Sequence, residues 1–308
     1  MKKKNFLVTG VAGFIGSKLA EKLLINGYKV TGVDDFSSGY KKNIPKGVRF
    51  IKGNFSDKNF LKRLNLKQFD IIFHIGGQSS GAISFDDPLK DLKDNVVSTV
   101  NILEFIKNTK TKFIYASSVA VYGNINKKKL KISDKCQPVS IYGVGKLSSE
   151  MYMRVYSETY NNYCFAFRIF NTFGEGQDLK NLRQGMISIY FSQAFYRSKI
   201  LVRGSKNRFR DYIHVDDVTD ALIKAINYNK KKFEIFNICT EKKTKVYEIL
   251  NFIKEYFNDK IYIRFGKKTL GDQFGVIGSN IMTKKKLNWK PRINLERGLT
   301  RFFNYYLK

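Results

Sequence analysis

The chain has 308 residues, of which 43% are hydrophobic and only 4 are proline, so its composition is that of a folded globular protein rather than a disordered one. Its 56 lysines and arginines outnumber 26 acidic residues, and the formal net charge is +30. Because these cations lie in short scattered clusters and no nucleic-acid-binding motif accompanies them, a solvated basic surface is favoured over nucleic-acid binding, although anionic ligands would be attracted.

The first two-thirds of the chain alternates short β-branched or aromatic runs with longer amphipathic runs, which is typical of a parallel sheet covered by helices. Strands are predicted at residues 5–9, 29–33, 48–52, 71–74, 113–117 and 165–168. Helices are predicted at residues 14–25, 59–64, 89–107 and 141–160. Each interval is long enough for the crossover that parallel neighbours need, so residues 1–170 are predicted to form a Rossmann-like, doubly wound α/β domain.

After residue 171 the strict alternation ends, and a different organisation is predicted. A loop-rich stretch runs to Arg210, followed by a helix at residues 215–227, a strand at 236–238 and a helix at 246–257. We interpret residues 171–308 as mainly a smaller C-terminal α/β lobe, with residues 211–240 threaded back onto the sheet.

Three glycines, Gly10, Gly13 and Gly16, lie between the first predicted strand and the first predicted helix. In this context glycines let the backbone approach a pyrophosphate, whose charge faces the helix N-terminus. The alternative is a tight turn that only packs the helix closely, but the flanking strand and helix favour a dinucleotide.

The second strand ends at Asp34 and Asp35. A carboxylate there would accept hydrogen bonds from ribose hydroxyls and repel a 2′-phosphate, so NAD is favoured over NADP.

A phenol and an ammonium lie four residues apart at Tyr142 and Lys146, on one face of a predicted helix. A tyrosine with its ordinary pKa of about 10 is a poor base near neutrality, and a neighbouring positive charge favours its phenolate. Because the chain has 18 tyrosines, a tyrosine four residues before a lysine could occur by chance. The spacing is informative here because it follows a predicted strand that ends in Ser117 and Ser118. A hydroxyl at the carboxyl end of a strand is placed to hold a reacting oxygen, and Ser118 is favoured over Ser117 for this role.

Six segments, in this order, resemble those of the extended short-chain dehydrogenases/reductases, and among them the nucleotide-sugar epimerases related to UDP-galactose 4-epimerase. They are residues 9–16 (TGVAGFIG), 73–77 (FHIGG), 117–123 (SSVAVYG), 142–146 (YGVGK), 168–171 (RIFN) and 210–215 (RDYIHV). The resemblance covers essentially the whole chain. It implies NAD as the cofactor, a UDP-linked nucleotide sugar as the substrate, and a substrate-binding role for the C-terminal lobe.

The motifs and the resemblance together assign the site residues. The catalytic residues are predicted to be Ser118, Tyr142 and Lys146. The predicted cofactor-binding residues are Gly10, Gly13, Phe14, Ile15, Gly16, Asp34, Asp35, Ser38, Gly39, Asn54, Phe55, Ile75, Gly76, Gly77, Asn95, Ser117, Tyr142 and Lys146. The predicted substrate-binding residues are Ser118, Tyr142, Asn171, Val202, Arg210 and Asp272. By the resemblance Asn171 and Arg210 would hold the diphosphate, and no metal is expected.

The residues after Ser118 separate reaction classes. Related 4,6-dehydratases have an Asp–Glu pair there, because eliminating water requires an extra acid and base, and related decarboxylases keep a Glu. This chain has Val119 and Ala120, so both activities are disfavoured.

The resemblance implies epimerisation at carbon 4 of a UDP-hexose or UDP-N-acetylhexosamine through a transient 4-keto sugar. The alternatives are an NAD(P)H-dependent reductase of a keto-sugar nucleotide, against which Asp34 counts, and a non-catalytic dinucleotide sensor, which needs no catalytic triad.

Compartment and assembly are predicted from other features. Three separated cysteines without metal-ligand spacing, Cys136, Cys164 and Cys239, indicate free thiols in a reducing, cytoplasmic compartment. No run of about 18 apolar residues occurs, so no membrane-spanning helix is expected.

The predicted helices at residues 89–107 and 141–160 resemble those that pair across the dimer of this family as a four-helix bundle. A homodimer is therefore expected; the alternative is that the sheet covers both apolar faces.

Overall fold

The computed structural model describes residues 4–125, 127–258, 260–268 and 273–307. Within them the strands are β1 Asn5–Thr9, β2 Lys29–Asp34, β3 Arg49–Lys52, β4 Ile71–His74, β5 Lys112–Ser118, β6 Cys164–Ile169, β7 Asn171–Phe173, β8 Lys199–Arg203, β9 Phe209–Arg210, β10 Tyr212–His214, β11 Phe233–Ile238, β12 Thr244–Lys245 and β13 Tyr262–Gly266. The α-helices are α1 Phe14–Ile25, α2 Lys58–Lys62, α3 Gly81–Ser84, α4 Pro88–Leu92, α5 Ser98–Ile106, α6 Ile141–Tyr160, α7 Met186–Arg197, α8 Val215–Lys224, α9 Val246–Tyr256, α10 Ile281–Leu287 and α11 Leu295–Leu307. None of these described helices is both long and apolar enough to span a bilayer.

A seven-stranded parallel sheet forms the centre of the described chain, in the order β3-β2-β1-β4-β5-β6-β11. Strands β5 and β6 are buried throughout, as expected of a parallel sheet that is covered on both faces. Alternate residues of β1 face opposite layers, because Phe6 and Val8 belong to the cluster that contains α1 and α8, whereas Leu7 packs with α5 and α6. The predicted doubly wound α/β fold is confirmed.

The winding of the sheet reverses between β1 and β4. The chain runs outward from β1 to β3 on one side and from β4 to β6 on the other, so the loops at the carboxyl ends of β1 and β4 diverge and open a crevice. The glycine turn follows β1, Asp34 ends β2 and Ser118 ends β5. The fold therefore brings these predicted site residues to one edge of the sheet.

The C-terminal part of the chain has its own core, built largely by α7, α9 and α11. The ring centroid of Phe191 on α7 lies 4.4 Å from that of Phe303 and 5.3 Å from that of Phe302, both on α11. Strand β8 pairs in parallel with β13 beside this core. Strand β11, by contrast, returns to the central sheet and pairs with β6. The boundary near residue 170 between the two lobes stays a prediction.

Two predicted elements differ from the structure. The stretch from residue 171 to Arg210 is loop-rich only in part: residues 174–185 contain no helix or strand, but α7 and the strands β7, β8 and β9 also lie in this stretch. The aromatic residues of α7 favour strands by propensity, yet Ile187, Tyr190, Phe191 and Ala194 are buried at helical spacing. The predicted helix at residues 89–107 is interrupted, since α4 passes into the π-helix Lys93–Val97 before α5 begins.

Candidate active site

The glycine turn after β1 lines a cavity of about 220 Å³ in the crevice. Gly10 has a φ of 69°, and a Cβ there would lie 2.6 Å from the Cα of Gly76. A Cβ on Gly16 would lie 2.0 Å from the carbonyl oxygen of Gly10. Only glycine therefore allows the turn, the loop after β4 and the first turn of α1 to pack this closely. Gly13 is the N-cap residue of α1 and lines the cavity, so the helix presents its anion-attracting end there.

Asp34 presents a buried carboxylate to the same cavity. One oxygen accepts a hydrogen bond from the Ala12 amide at 3.0 Å, and the other accepts one from the Phe36 amide at 2.8 Å. Burial raises the pKa of Asp34, and the two backbone bonds act in the opposite direction. Since a carboxylate has about four lone-pair sites, both oxygens can accept a further bond from a hydroxyl. The glycine turn and this carboxylate together fit the diphosphate and the adenosine ribose of NAD.

Most of the predicted cofactor-binding residues line this cavity. Those in its wall are Gly10, Gly13, Phe14, Ile15, Gly16, Asp34, Asp35, Ser38, Asn54, Phe55, Ile75, Gly76 and Gly77. Gly39 lies outside the wall, and a Cβ there would lie 2.7 Å from the Ala12 carbonyl oxygen, so its missing side chain serves the packing of the turn. Asn95 is also outside the wall because it is wholly buried against Gly77.

A second cavity, of about 850 Å³, adjoins the first and shares several wall residues with it, namely Phe14, Ile15, Ile75, Gly77, Ser79, Gln177 and Gln184. The predicted catalytic residues Ser118, Tyr142 and Lys146 line this larger cavity, and so does Ser117. The structure therefore places the predicted chemistry beside the predicted dinucleotide site.

The first turns of α6 position Tyr142 and Lys146. The Ser140 hydroxyl caps this helix by accepting a hydrogen bond from the Gly143 amide at 3.1 Å. Lys146 donates to the carbonyl oxygen of Ala116 on β5 at 2.9 Å, and its Nζ lies 5.7 Å from the ring centroid of Tyr142. The ammonium is thus held between α6 and the end of β5, next to the phenol.

Burial dominates the electrostatics of this pair. It raises the pKa of Tyr142 to about 12, although the hydrogen bond with Ser118 acts to lower it. Burial lowers the pKa of Lys146 to about 8, while the carboxylates of Asp91 and Glu150 act to raise it. Near neutral pH the protein alone therefore holds a neutral Tyr142 phenol beside a Lys146 that is mostly protonated.

The two serines at the end of β5 have different surroundings. The Ser117 hydroxyl donates to the Glu150 carboxylate, which also pairs with Arg168 at 2.7 Å. The Ser118 hydroxyl faces Tyr142 and accepts a hydrogen bond from the Ala120 amide at 3.2 Å. Both serines line the larger cavity, but the Ser117 hydroxyl is engaged in a buried network that joins β5, β6 and α6, whereas the Ser118 hydroxyl faces Tyr142.

Four predicted substrate-binding residues, Ser118, Tyr142, Asn171 and Arg210, line the larger cavity. Arg210 is buried, and its guanidinium donates to the carbonyl oxygens of Gln273 at 2.8 Å and Phe274 at 3.3 Å. Asp272 lies outside the described residues.

The prediction for Val202 is corrected. Its side chain is wholly buried in the core of the C-terminal part. The neighbours Leu201 and Arg203 line the cavity instead, because successive residues of β8 point to opposite faces.

An arginine-rich lining of the larger cavity was not predicted from the sequence. Arg183, Arg197, Arg203 and Arg208 line the larger cavity in addition to Arg210. Among the described lining residues of this cavity, none is acidic. No motif marks these arginines, and the high net charge was the only signal of them. The lining favours a ligand with several negative charges.

A segment that we call the strap, residues 176–184, borders both cavities. The Tyr40 hydroxyl donates to Asp178 at 3.1 Å, and the Ser80 hydroxyl donates to the carbonyl oxygen of Arg183 at 3.0 Å. Gln184 also donates to the Ser79 hydroxyl at 2.7 Å. These bonds fasten the strap to loops that follow β2 and β4.

Known proteins resemble this chain in sequence. The sequence profile of the NAD dependent epimerase/dehydratase family matches residues 6–239. A putative UDP-glucose 4-epimerase from Methanocaldococcus jannaschii is 33% identical over 301 residues, which make up 97% of each protein.

Solved structures also resemble the chain over nearly its full length. The UDP-glucose 4-epimerase of Thermotoga maritima, determined with UDP-glucose, is 31% identical, has a TM-score of 0.93 and is matched over 98% of both chains. The UDP-glucose 4-epimerase of Thermus thermophilus, in complex with NAD, is 25% identical and has a TM-score of 0.91. That match covers 98% of this chain and 99% of the other.

Proposed function

Because the chain belongs to the NAD-dependent epimerase/dehydratase family and takes NAD as its cofactor, we propose that it epimerises carbon 4 of a UDP-hexose or UDP-N-acetylhexosamine. The reaction passes through a transient 4-keto sugar and consumes no net reductant. The observation that carries the proposal is that Ser118, Tyr142 and Lys146 line a cavity that shares a wall with the dinucleotide cavity. Val119 and Ala120 provide no acid and base beside Ser118 for eliminating water.

The chain's own residues handle the proton. Bound NAD supplies a hydride acceptor that is restored when the sugar is reduced again. Tyr142 takes the proton of the sugar 4-hydroxyl at its phenolate oxygen and later returns it, while the Ser118 hydroxyl holds the same sugar oxygen. Lys146 contributes the positive charge that favours the phenolate. Because burial raises the pKa of Tyr142 to about 12 in the protein alone, its phenolate forms only with the help of a positive charge beside it.

The larger cavity provides the anchor for the diphosphate. Its guanidinium groups have the planar fork that suits phosphate oxygens, and Arg210 and Asn171 are the residues we assign to this contact. With the diphosphate held, the 4-keto sugar turns about its linkage and presents the opposite face for reduction. Positioning of the sugar is therefore the main contribution of the arginine-lined wall.

We further propose a homodimer that forms through α4, α5 and α6, in a reducing, cytoplasmic compartment. Six large apolar side chains are exposed on α4 and α6, namely Leu89, Leu92, Val144, Met151, Tyr152 and Val155. An exposed apolar surface of this kind is typical of a protein interface. The three cysteines are free thiols, which supports a reducing compartment.

Turnover without added cofactor tests the proposed reaction. The purified protein is incubated with UDP-glucose, UDP-galactose and their N-acetylated counterparts, and the anomeric signals are followed by NMR. We expect one pair of sugars to interconvert without reductant, because the hydride returns to the sugar. An absolute requirement for equimolar NADH would contradict epimerisation and favour the keto-sugar reductase.

A single-atom change tests the role of Tyr142. Tyr142→Phe removes only the phenolic oxygen, and we expect kcat to fall at least about a hundredfold, the usual scale of a lost acid–base catalyst. Tyr160→Phe, at the other end of α6, is the matched control and should keep wild-type turnover. Equal activity of the two variants would exclude Tyr142 as the base.

A further inference from the structure

The ammonium of Lys146 lies over the face of an aromatic ring to which the motifs assign no function. Its Nζ is 4.6 Å from the ring centroid of Tyr115, within the distance of about 6 Å at which a ring face attracts a cation. The same Nζ donates to the carbonyl oxygen of Ala116, the next residue of β5, at 2.9 Å. Lys146 is 3% exposed and Tyr115 is 0% exposed, so water screens the attraction between them very little.

The packing of β5 fixes the Tyr115 ring in this place. Tyr115 belongs to the core cluster on the side of α5 and α6, whereas the side chain of Ala116 points to the opposite layer. The ring stacks against that of Phe113 with centroids 6.4 Å apart, and against that of His74 on β4 with centroids 5.6 Å apart. Tyr115 therefore presents a ring face that the sheet holds rigidly under α6.

Other titratable groups face Lys146 from α6 and α4. On α6 they are the Tyr142 phenol, whose ring centroid is 5.7 Å from Nζ, and the carboxylate of Glu150; on α4 it is the carboxylate of Asp91. Glu150 is paired with Arg168 at 2.7 Å, which compensates much of its charge. Burial outweighs the two carboxylates and lowers the pKa of Lys146 to about 8. A further group that favours the cation therefore has a measurable effect on its ionisation.

The neighbour of Lys146 on β4 is an uncharged imidazole. His74 is 2% exposed, and burial together with the charge of Lys146 lowers its pKa to about 3. Its Nδ1 lies 2.8 Å from the Thr9 hydroxyl and its Nε2 lies 3.2 Å from the Ser98 hydroxyl. Near neutral pH His74 therefore adds no positive charge beside Tyr115. Among the described residues, Lys146 is the one cation that lies over the Tyr115 ring.

We propose that Tyr115 is a positioning residue for the reaction, whose ring face holds the Lys146 ammonium in its charged form beside the Tyr142 phenol. The face of an aromatic ring is electron-rich and favours an ammonium over a neutral amine. Tyr115 lines neither cavity, so it acts through Lys146 and does not itself touch the ligands. The inference rests on the proposed function for the catalytic role of Lys146, whereas the attraction between ring and ammonium requires no ligand.

A fluorinated series at position 115 tests the inference on the whole protein. Deleting so large a buried ring would leave a cavity in the core, so the ring face is weakened instead. Tyr115 is replaced by phenylalanine and by phenylalanines with one, two or three ring fluorines, which withdraw electrons from the face and nearly keep its shape. The ionisation of Lys146 is then followed by NMR of protein whose lysines carry carbon-13 at Cε, and its signal is assigned by its loss in Lys146→Arg.

The acid dissociation constant of Lys146 should rise stepwise with the number of fluorines. Tyr115→Phe keeps the ring face and should resemble the wild type, whereas the trifluorinated protein should show an increase of about tenfold. A constant that stays the same throughout a folded series would overturn the proposal.

The same substitutions at Phe113 provide the matched control. Phe113 is also wholly buried, lies on the same face of β5 two residues earlier, and stacks on the same imidazole. Within the described residues no cation lies over its ring. Fluorination there should leave the ionisation of Lys146 unchanged, and an equal change at both positions would refute a direct action of Tyr115.

The pH dependence of turnover separates this role from a merely structural one. In the fluorinated series the alkaline limb of kcat/KM should move to lower pH, because Lys146 loses its charge earlier. Well below this limb Lys146 is protonated in every variant, and the series should share one kcat/KM. A loss that is equal at every pH would indicate a packing defect and would contradict the proposal.

The two measurements also distinguish the two levels of inference. If no nucleotide sugar is turned over but the Lys146 signal still follows the fluorine series, the proposed function is refuted and the hold of Tyr115 on Lys146 stands. Turnover together with a Lys146 signal that is indifferent to fluorine would refute the role of Tyr115 alone.

Discussion

Replacing Glu150 by Gln removes the negative charge of a buried ion pair and keeps its shape. Glu150 and Arg168 have side-chain exposures of 0% and 3%, and they make contacts of 2.7 Å and 3.1 Å. The guanidinium also lies over the ring of Tyr122, 4.7 Å from its centroid, and is almost wholly buried. Because the remaining charge stays desolvated, breaking such a pair costs about 3–5 kcal/mol. We expect Glu150→Gln to lose that much free energy of unfolding.

Urea unfolding followed by circular dichroism measures this loss, provided that the free energy of unfolding falls with urea concentration at the same slope in all variants. Glu150→Gln combined with Arg168→Met should recover most of the stability, because no uncompensated charge remains. Glu21→Gln, which breaks an exposed pair with Lys18 on α1, is the matched control and should change stability little. A loss of less than about 1 kcal/mol in Glu150→Gln would show that the pair is not desolvated as described.

The remaining predictions concern the cofactor, the substrate, pH and assembly. Asp34→Ala is expected to weaken NAD binding at least about tenfold, because the ribose hydroxyls lose a charged acceptor; unchanged affinity by calorimetry would refute this assignment. Arg210→Gln should raise the KM for the sugar nucleotide far more than the Kd of NAD, and equal changes would argue against a diphosphate contact. Since the pKa of Lys146 is lowered to about 8, its cation is present below that pH and lost above it, so kcat/KM, which reports ionisations of the free enzyme, should decline as the pH rises through 8. A profile that stays flat well into the alkaline range would contradict this role. Val155→Glu places a charge on the exposed apolar face of α6, and light scattering should then give a monomer mass; a persistent dimer would place the interface elsewhere.

The central sheet and the glycine turn could be predicted from the sequence because local patterns specify them. Strands such as β1 and β6 are short apolar runs, and the glycines follow β1 directly. Tyr142 and Lys146 meet for an equally local reason, since a helix alone brings them to one face. Such features need no knowledge of the rest of the chain.

What could not be predicted depends on contacts between distant segments. Val202 and Arg203 differ only in the face of β8 to which they point, and the packing of that strand decides which one reaches the cavity. The hydroxyl of Ser117 is engaged by Glu150, 33 residues further along the chain. The aromatic residues of α7 favour a strand until α11 supplies a surface for them.

The position of β11 affects how the chain can fold during its synthesis. The chain leaves the sheet after β6, which ends at Ile169, and returns to cover that strand only at Phe233. During synthesis β6 therefore stays an open edge until the intervening segment has emerged, and such non-local closure is slow. A fragment truncated between these strands would expose unpaired backbone and tend to aggregate. The two predicted lobes are consequently poor units for domain exchange between relatives, and a chimera would have to carry β11 together with β6.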